Sequence, residues 1–95
     1  MDNEILSLAE QQARICRIFS NTKRLLILIT LNTEEKSVNE ISSLIGESLQ
    51  NTSQHLRLMR ISNILETRRE GQTIYYRIAD NNNVKCLSNL LEISY

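Results

Sequence analysis

The 95-residue chain has no proline, only two glycines, only two cysteines and no net charge. With so little proline and glycine, long irregular loops lack their usual residues, so regular elements should follow one another closely. Two cysteines are too few for a disulfide framework, and a reducing compartment would keep them as thiols. The densest apolar run, Leu25–Leu31, is broken by Thr30 and is far too short to span a bilayer. The acidic start Met1–Glu4 is not followed by a signal peptide. A cytoplasmic protein with no membrane partner is expected. There is no Gly-rich phosphate loop, metal cluster or nucleophile–base pair, so neither an enzyme nor a cofactor is expected. Zero net charge, taken at face value, argues against nucleic-acid binding.

What the chain does contain answers that objection. A hydrophobic share of 41% and a charged share of 23% fit one ordinary domain spanning residues 1–95. A domain this small is often marginal alone, and oligomerisation is a common remedy, so a dimer is expected. From Ser48 to Ile78, Arg57, Arg60, Arg68, Arg69 and Arg77 stand against Glu66 and Glu70, a balance of +3. The remainder therefore carries −3. Basic charge is concentrated in one third of the chain, where a phosphate backbone could meet it.

The periodicity predicts a mostly α chain with one small β-hairpin, in the order α-α-α-α-β-β-α. A first helix covers about Asn3–Ser20, with Ile5, Leu8, Ile15 and Phe19 on a stripe that needs a partner helix. Asn21 caps a second, Thr22–Leu31, so widely apolar that it should be central and mostly buried. Asn32–Lys36 reads as a polar connection. Ser37-x-x-Glu40 is a capping box opening a short helix, with Val38, Ile41, Leu44 and Ile45 inward. Gly46 ends it, and Ser48 caps Leu49–Ser62, whose core stripe is Leu49, Thr52, Leu56 and Met59. Asn63 stops that helix. Strands Ile64–Arg68 and Thr73–Ile78 flank a turn at Arg69–Gln72, with Ile74, Tyr76 and Ile78 on one face. A last helix covers about Asn82–Ser94.

Two short helices joined by a Gly-containing turn form a helix-turn-helix, whose second helix reads base edges from its N-terminal turn. Here that turn offers Ser48, Gln50, Asn51, Ser53 and Gln54. Amides read adenine bidentately, and Ser bonds to either base type. The helix N-terminus also offers free N–H groups to phosphate. Arg57 and Arg60 lie further along and suit phosphates. The Arg69–Gln72 hairpin tip suits a neighbouring groove or backbone. The neutral overall charge also admits another reading, a winged-helix module that binds protein without DNA.

These residues resemble the ArsR/SmtB family of winged helix-turn-helix repressors over about Ile15 to Leu91. Phe19-Ser20-Asn21-Thr22-Lys23-Arg24-Leu25 is similar to the family's Leu-Ala-Asp-Pro-Thr-Arg-Leu, and Ser37-Val38-x-Glu40-Ile41 to its Ser-Val-x-Glu-Leu. Ser48 to Arg60 resembles its Ser-x-x-x-Val-Ser-x-His-Leu-x-x-Leu-Arg recognition helix. Arg68 to Ile78 resembles its wing almost residue for residue. The resemblance implies a homodimer held by the first and last helices, binding an inverted repeat in double-stranded DNA and repressing transcription. It implies base contacts from Gln50, Ser53 and Gln54, with Asn51 and His55 as further candidates, and wing contacts from Arg69 and Gln72. His55 has a competing role, packing or bonding at the helix–wing junction.

Many members of that family release DNA when a metal binds. This chain departs from both usual ligand patterns. Ser37-Val38-Asn39-Glu40 replaces the Cys-x-Cys type motif, and Asn82 and Ile93 stand where histidines are expected beyond Asp80. No family-type metal site is expected. Cys16 and Cys86 fall on the first and last helices, which pack together in the family. They read either as small buried hydrophobes, as a redox thiol switch, or as a soft-ion pair. The inducer is not legible.

Overall fold

A computed structural model describes residues 2–80 of the chain. The predicted last helix, with Cys86, Asn82 and Ile93, lies outside the described residues. The elements are α1 (Asn3–Phe19), α2 (Thr22–Leu31), β1 (Lys36–Ser37), α3 (Val38–Ile45), α4 (Leu49–Ile61), β2 (Leu65–Glu70) and β3 (Thr73–Ile78). The strands form one antiparallel sheet in the order β1-β3-β2.

β1 is the element that the sequence reading does not contain. It is only two residues long, too short to show alternation, and it pairs Lys36 with Tyr76 and Ser37 with Tyr75. Ser37 also caps α3. Its Oγ accepts from the Glu40 N–H (3.3 Å), and Glu40 Oε1 accepts from the Ser37 N–H (3.1 Å). One residue therefore joins the wing to the helix-turn-helix.

The core is built from Ile27 of α2, Ile41 of α3, Leu56 and Met59 of α4 and Ile64, all essentially without exposure. Only the C-terminal part of α1 reaches it, through Ile15, Ile18 and Phe19. Ile5 and Leu8 of the predicted stripe stay exposed. On α2, Ile27, Leu28 and Leu31 are buried together with half-buried Leu25, whereas Leu26 and Ile29 are exposed. The expected central, mostly buried α2 is buried along one stripe and exposed at two apolar positions, for a geometric reason. Ile27, Leu28 and Leu31 share one stripe with Arg24, and Leu26 and Ile29 fall on the far side.

Three further inward predictions are overturned. Leu44, Leu49 and Ile74 are exposed, at 63%, 51% and 41%. Leu44 gives way to Ser42, whose buried hydroxyl donates to the Glu47 carbonyl at 2.5 Å and seals the turn. Leu49 sits on the first turn of α4, before that helix enters the core. Ile74 lies next to the hairpin tip, beyond the end of the core, although its face is the one predicted.

The punctuation is as expected, with one shift. Gly46 takes φ +67°, and the Glu47 N–H bonds back to the Ser42 carbonyl at 3.1 Å. Asn63 takes φ 61°, with Ile64 N–H on the Met59 carbonyl (2.9 Å) and Asn63 N–H on the Arg60 carbonyl (3.0 Å). That pair of bonds is a Schellman motif. In the hairpin, β2 runs on through Arg69 and Glu70, and Glu70 faces Thr73. Only Gly71 and Gln72 form the loop. Gly71 at the first central position carries φ +60°, as a type II′ turn requires.

Thr52 is fully buried, and its Oγ1 has no hydrogen-bond partner. The repressor family that the sequence resembles carries valine there. A buried hydroxyl without a partner costs stability that an isosteric methyl would not. Thr52→Val should therefore raise unfolding stability by about 1 kcal/mol. Leu56→Ala, which opens a core cavity, should lower it by about 2–5 kcal/mol. Chemical denaturation measures both, and a Thr52→Val protein no more stable than wild type would refute the first.

Candidate nucleic-acid interface

The orientation of α4 follows from its buried stripe. Thr52, Leu56 and Met59 face the core, so Gln50, Gln54 and Arg57 emerge on the opposite side, all exposed. Ser53 is exposed on one flank of that face and Asn51 on the other. Gln50, Asn51, Ser53 and Gln54, predicted to read bases, thus share one surface with Arg57, predicted for a phosphate. Gln and Asn amides and Ser hydroxyls both donate and accept, as base edges require.

The N-terminus of α4 is more occupied than predicted. Ser48 Oγ accepts from the Asn51 N–H at 3.1 Å. Glu47 Oε1 accepts from the Ser48 N–H (3.0 Å) and from Asn51 Nδ2 (3.1 Å). These bonds, the backbone one first, hold the Glu47 carboxyl below its ordinary range. The helix start already carries an anion, and Asn51 is tied to it. Ser48 and Asn51 therefore shape the turn, and only the first amides of α4 remain for a phosphate.

His55 is half-buried, and its partner is on α2 rather than at the helix–wing junction. Arg24 Nη1 lies 3.4 Å from His55 Nδ1. Burial first, and then the Arg24 charge, hold the imidazole below its ordinary pKa, against the opposing pull of Glu47. The same guanidinium donates through Nε to the Ile18 carbonyl (2.5 Å) and through Nη2 to that of Arg17 (3.5 Å). Lys23 Nζ donates to the Ile45 carbonyl at 2.9 Å. Two adjacent cations of α2 thus cap the C-termini of two other helices, where the macrodipole favours positive charge.

The wing neutralises much of its own charge. Arg68 Nε donates to both Glu35 carboxylate oxygens (3.0 and 3.2 Å), and its Nη2 bonds Glu35 as well. Its Nη1 donates to Glu70 at 3.0 Å, and the guanidinium lies 4.8 Å from the ring centre of Tyr75, its cross-strand neighbour. Arg77 pairs across the strands with Glu66 at 3.5 Å. Among the described residues no ion pair involves Arg57, Arg60 or Arg69. Arg69 falls on the opposite face of the hairpin from Arg68, beside Ile74, and is exposed with Gln72 at the tip. Arg60 stands apart from the Gln50–Gln54–Arg57 face, in a shallow groove with Asn63, Glu66 and Asp80.

Arg24, Glu35, Glu47 and Tyr75 were invisible as site residues in the sequence. Arg24 sits inside a segment quoted for the resemblance, but nothing local reveals its partners, 6 to 31 residues away. Cys16 is exposed on α1 of the single chain. Among the described residues, no cluster of His, Cys, Asp or Glu could hold a metal ion, and no helix is long and apolar enough to cross a membrane.

No protein-family model matches the chain. It is 40% identical over 85 residues to the nodulation protein NolR of Rhizobium meliloti, covering 90% of this chain and 70% of that protein. Among solved structures, it superposes on NolR from Sinorhizobium fredii with a TM-score of 0.84 at 39% identity, covering 98% of this chain and 93% of that one. It matches Mb0332 from Mycobacterium bovis equally well, with a TM-score of 0.84, 32% identity, and 99% and 86% coverage. That domain is described as a homodimeric winged helix-turn-helix DNA-binding domain and a possible ArsR-family regulator.

The Glu35–Arg68 clamp ties the segment after α2 to the wing. Its carboxyl is held below the ordinary range chiefly by the Arg68 hydrogen bond. A carboxyl lowered on folding stabilises above its unfolded pKa, and the effect is lost as pH falls through the folded value. Arg68→Met should therefore speed amide hydrogen exchange in β2 and β3, whereas Arg69→Met should not. Wild-type protection of those strands should fall on acidification below the ordinary glutamate range. Equal exchange in both variants would show that the clamp does not hold the wing.

Proposed function

Since the chain belongs to the ArsR/SmtB family of winged helix-turn-helix transcriptional regulators, we propose that it is a homodimeric repressor that binds an inverted-repeat operator in double-stranded DNA. The observation that carries this reading is the open Gln50–Gln54–Arg57 face of α4, opposite a fully buried stripe. Gln50, Ser53 and Gln54 read base edges in the major groove. Arg57 neutralises a phosphate, with Arg60 a more peripheral contact. Arg69 and Gln72 extend the footprint to the adjacent groove or backbone, with Ile74 beside them.

Two copies are needed because one offers few unpaired cations. The exposed Ile5 and Leu8 of α1 supply an apolar surface for the partner, together with the last helix. Cys16 and Cys86 form the response element. A peroxide or polysulfide oxidant takes two electrons as the two thiols lose their protons and join, and DNA is released. Cys16 is exposed on α1 of a single copy. Cys16→Ser should abolish any oxidant-dependent loss of affinity without changing reduced affinity. An unchanged response in that variant would exclude the thiol pair.

Fluorescence anisotropy against an operator selected from random duplexes, at two salt concentrations, tests the main reading. Gln50→Ala and Gln54→Ala should each cost about 1–3 kcal/mol on the operator and little on scrambled duplex. Arg69→Ala should weaken both duplexes alike and lower the salt slope by about 1 per protomer. Absence of duplex binding at low salt would instead favour a protein-interaction module, the reading consistent with the zero net charge.

A further inference from the structure

We infer that Arg24 and His55 are positioning residues of the DNA-reading helix: one guanidinium fastens α4 to the C-terminus of α1, using His55 as a neutral acceptor. The inference rests on α4 being the helix that reads DNA, and it removes His55 from the list of contacts to DNA. Arg24 is bonded to the last carbonyls of α1 through Nε and Nη2 and reaches His55 through Nη1. It is partly buried between these elements. Arginine has donors and no acceptor. His55 Nδ1 must therefore be bare wherever it meets Arg24, which places the ring proton on Nε2 and makes the imidazole neutral. A protonated ring would present an N–H to a guanidinium and break the bond.

The surroundings agree. Arg24 on α2 repels an imidazolium, and Glu47 in the α3–α4 turn attracts it. Lys23 on α2 in turn faces Glu47. A histidine placed to grip phosphate as a cation would instead lack an arginine at hydrogen-bond distance. The same contact gives α1 a mechanical hold on α4. Cys16 lies in the last turns of α1, where its carbonyl accepts from Ser20 Oγ at 3.0 Å, next to the carbonyls that Arg24 holds. Changes at the end of α1 therefore reach the reading helix through this side chain as well as through the core they share.

His55 is the only histidine, so its ring nitrogens can be followed by NMR without ambiguity. In DNA-free protein they should show a bare Nδ1 that responds to Arg24→Lys, which keeps the charge but cannot span both partners. On the operator, His55→Ala and Arg24→Met should each weaken affinity about tenfold, and the double variant should be no weaker than the worse single. Wild-type affinity should fall as pH drops below the ordinary histidine range, through the lowered value that burial and Arg24 impose, because protonation breaks the fastening. His55→Asn, whose Oδ1 can take the place of Nδ1 without titrating, should hold near-wild-type affinity and flatten that profile. Affinity that rises on acidification, an additive double variant, or a protonated Nδ1 would each overturn the inference while leaving operator binding intact. Failure of the wild type to bind any duplex would overturn the repressor reading, and this inference with it.

Discussion

Thr52, Leu56 and Met59 are buried to the last few square ångströms, and the direction in which α4 faces depends on them. A helix that buries a stripe must present the opposite one. Here the opposite stripe holds two amides and an arginine, and it cannot rotate out of reach without exposing Leu56 and Met59. The core thus serves as the orienting device of the surface. Its packing partners, Ile27 of α2 and Ile41 of α3, are equally buried, so the three helices form one rigid wedge.

Polar fastenings at the helix ends do the remaining alignment. Ser37 pairs with Tyr75 in the sheet and caps α3, so the wing inherits its angle from the helix it adjoins. Ser42 closes the turn before α4, and Asn63 closes the one after it. Lys23 and Arg24 each hold the carbonyl end of a neighbouring helix. Each such bond contributes on the order of 1 kcal/mol. Their larger effect is geometric: the caps and closures fix where α3 and α4 start and stop, and the Lys23 and Arg24 bonds add direction to helix contacts that are otherwise apolar and non-directional.

Much of this was legible because it is local. Caps at Asn21, Ser37 and Ser48, stops at Gly46 and Asn63, and the bounds of the strand Thr73–Ile78 are each written within a few residues and fall where the sequence places them. The outward set Gln50, Gln54 and Arg57 was legible for the same reason, as the complement of a helical stripe. What failed was non-local. Leu44, Leu49 and Ile74 are apolar and well phased, yet the core ends before it reaches them. β1 has no pattern of its own and exists only because β3 offers it an edge. The partners of Arg24 and Arg68 are contributed by distant segments.

Charge pairing reshapes the electrostatic argument. Counted along the sequence, the Ser48–Ile78 third holds a surplus of +3. In three dimensions Glu35, which lies outside that third, is drawn onto Arg68, and Glu66 onto Arg77. What stays available is Arg57 on the reading face and Arg69 at the wing tip, with Arg60 off to the side. Non-specific attraction to a polyanion scales with the number of phosphates neutralised, so so small a set makes a weak grip for one copy. A weak electrostatic grip raises the share of affinity that must come from base contacts and from a second copy. That places more weight on the angle of α4, and so on the buried stripe that sets it.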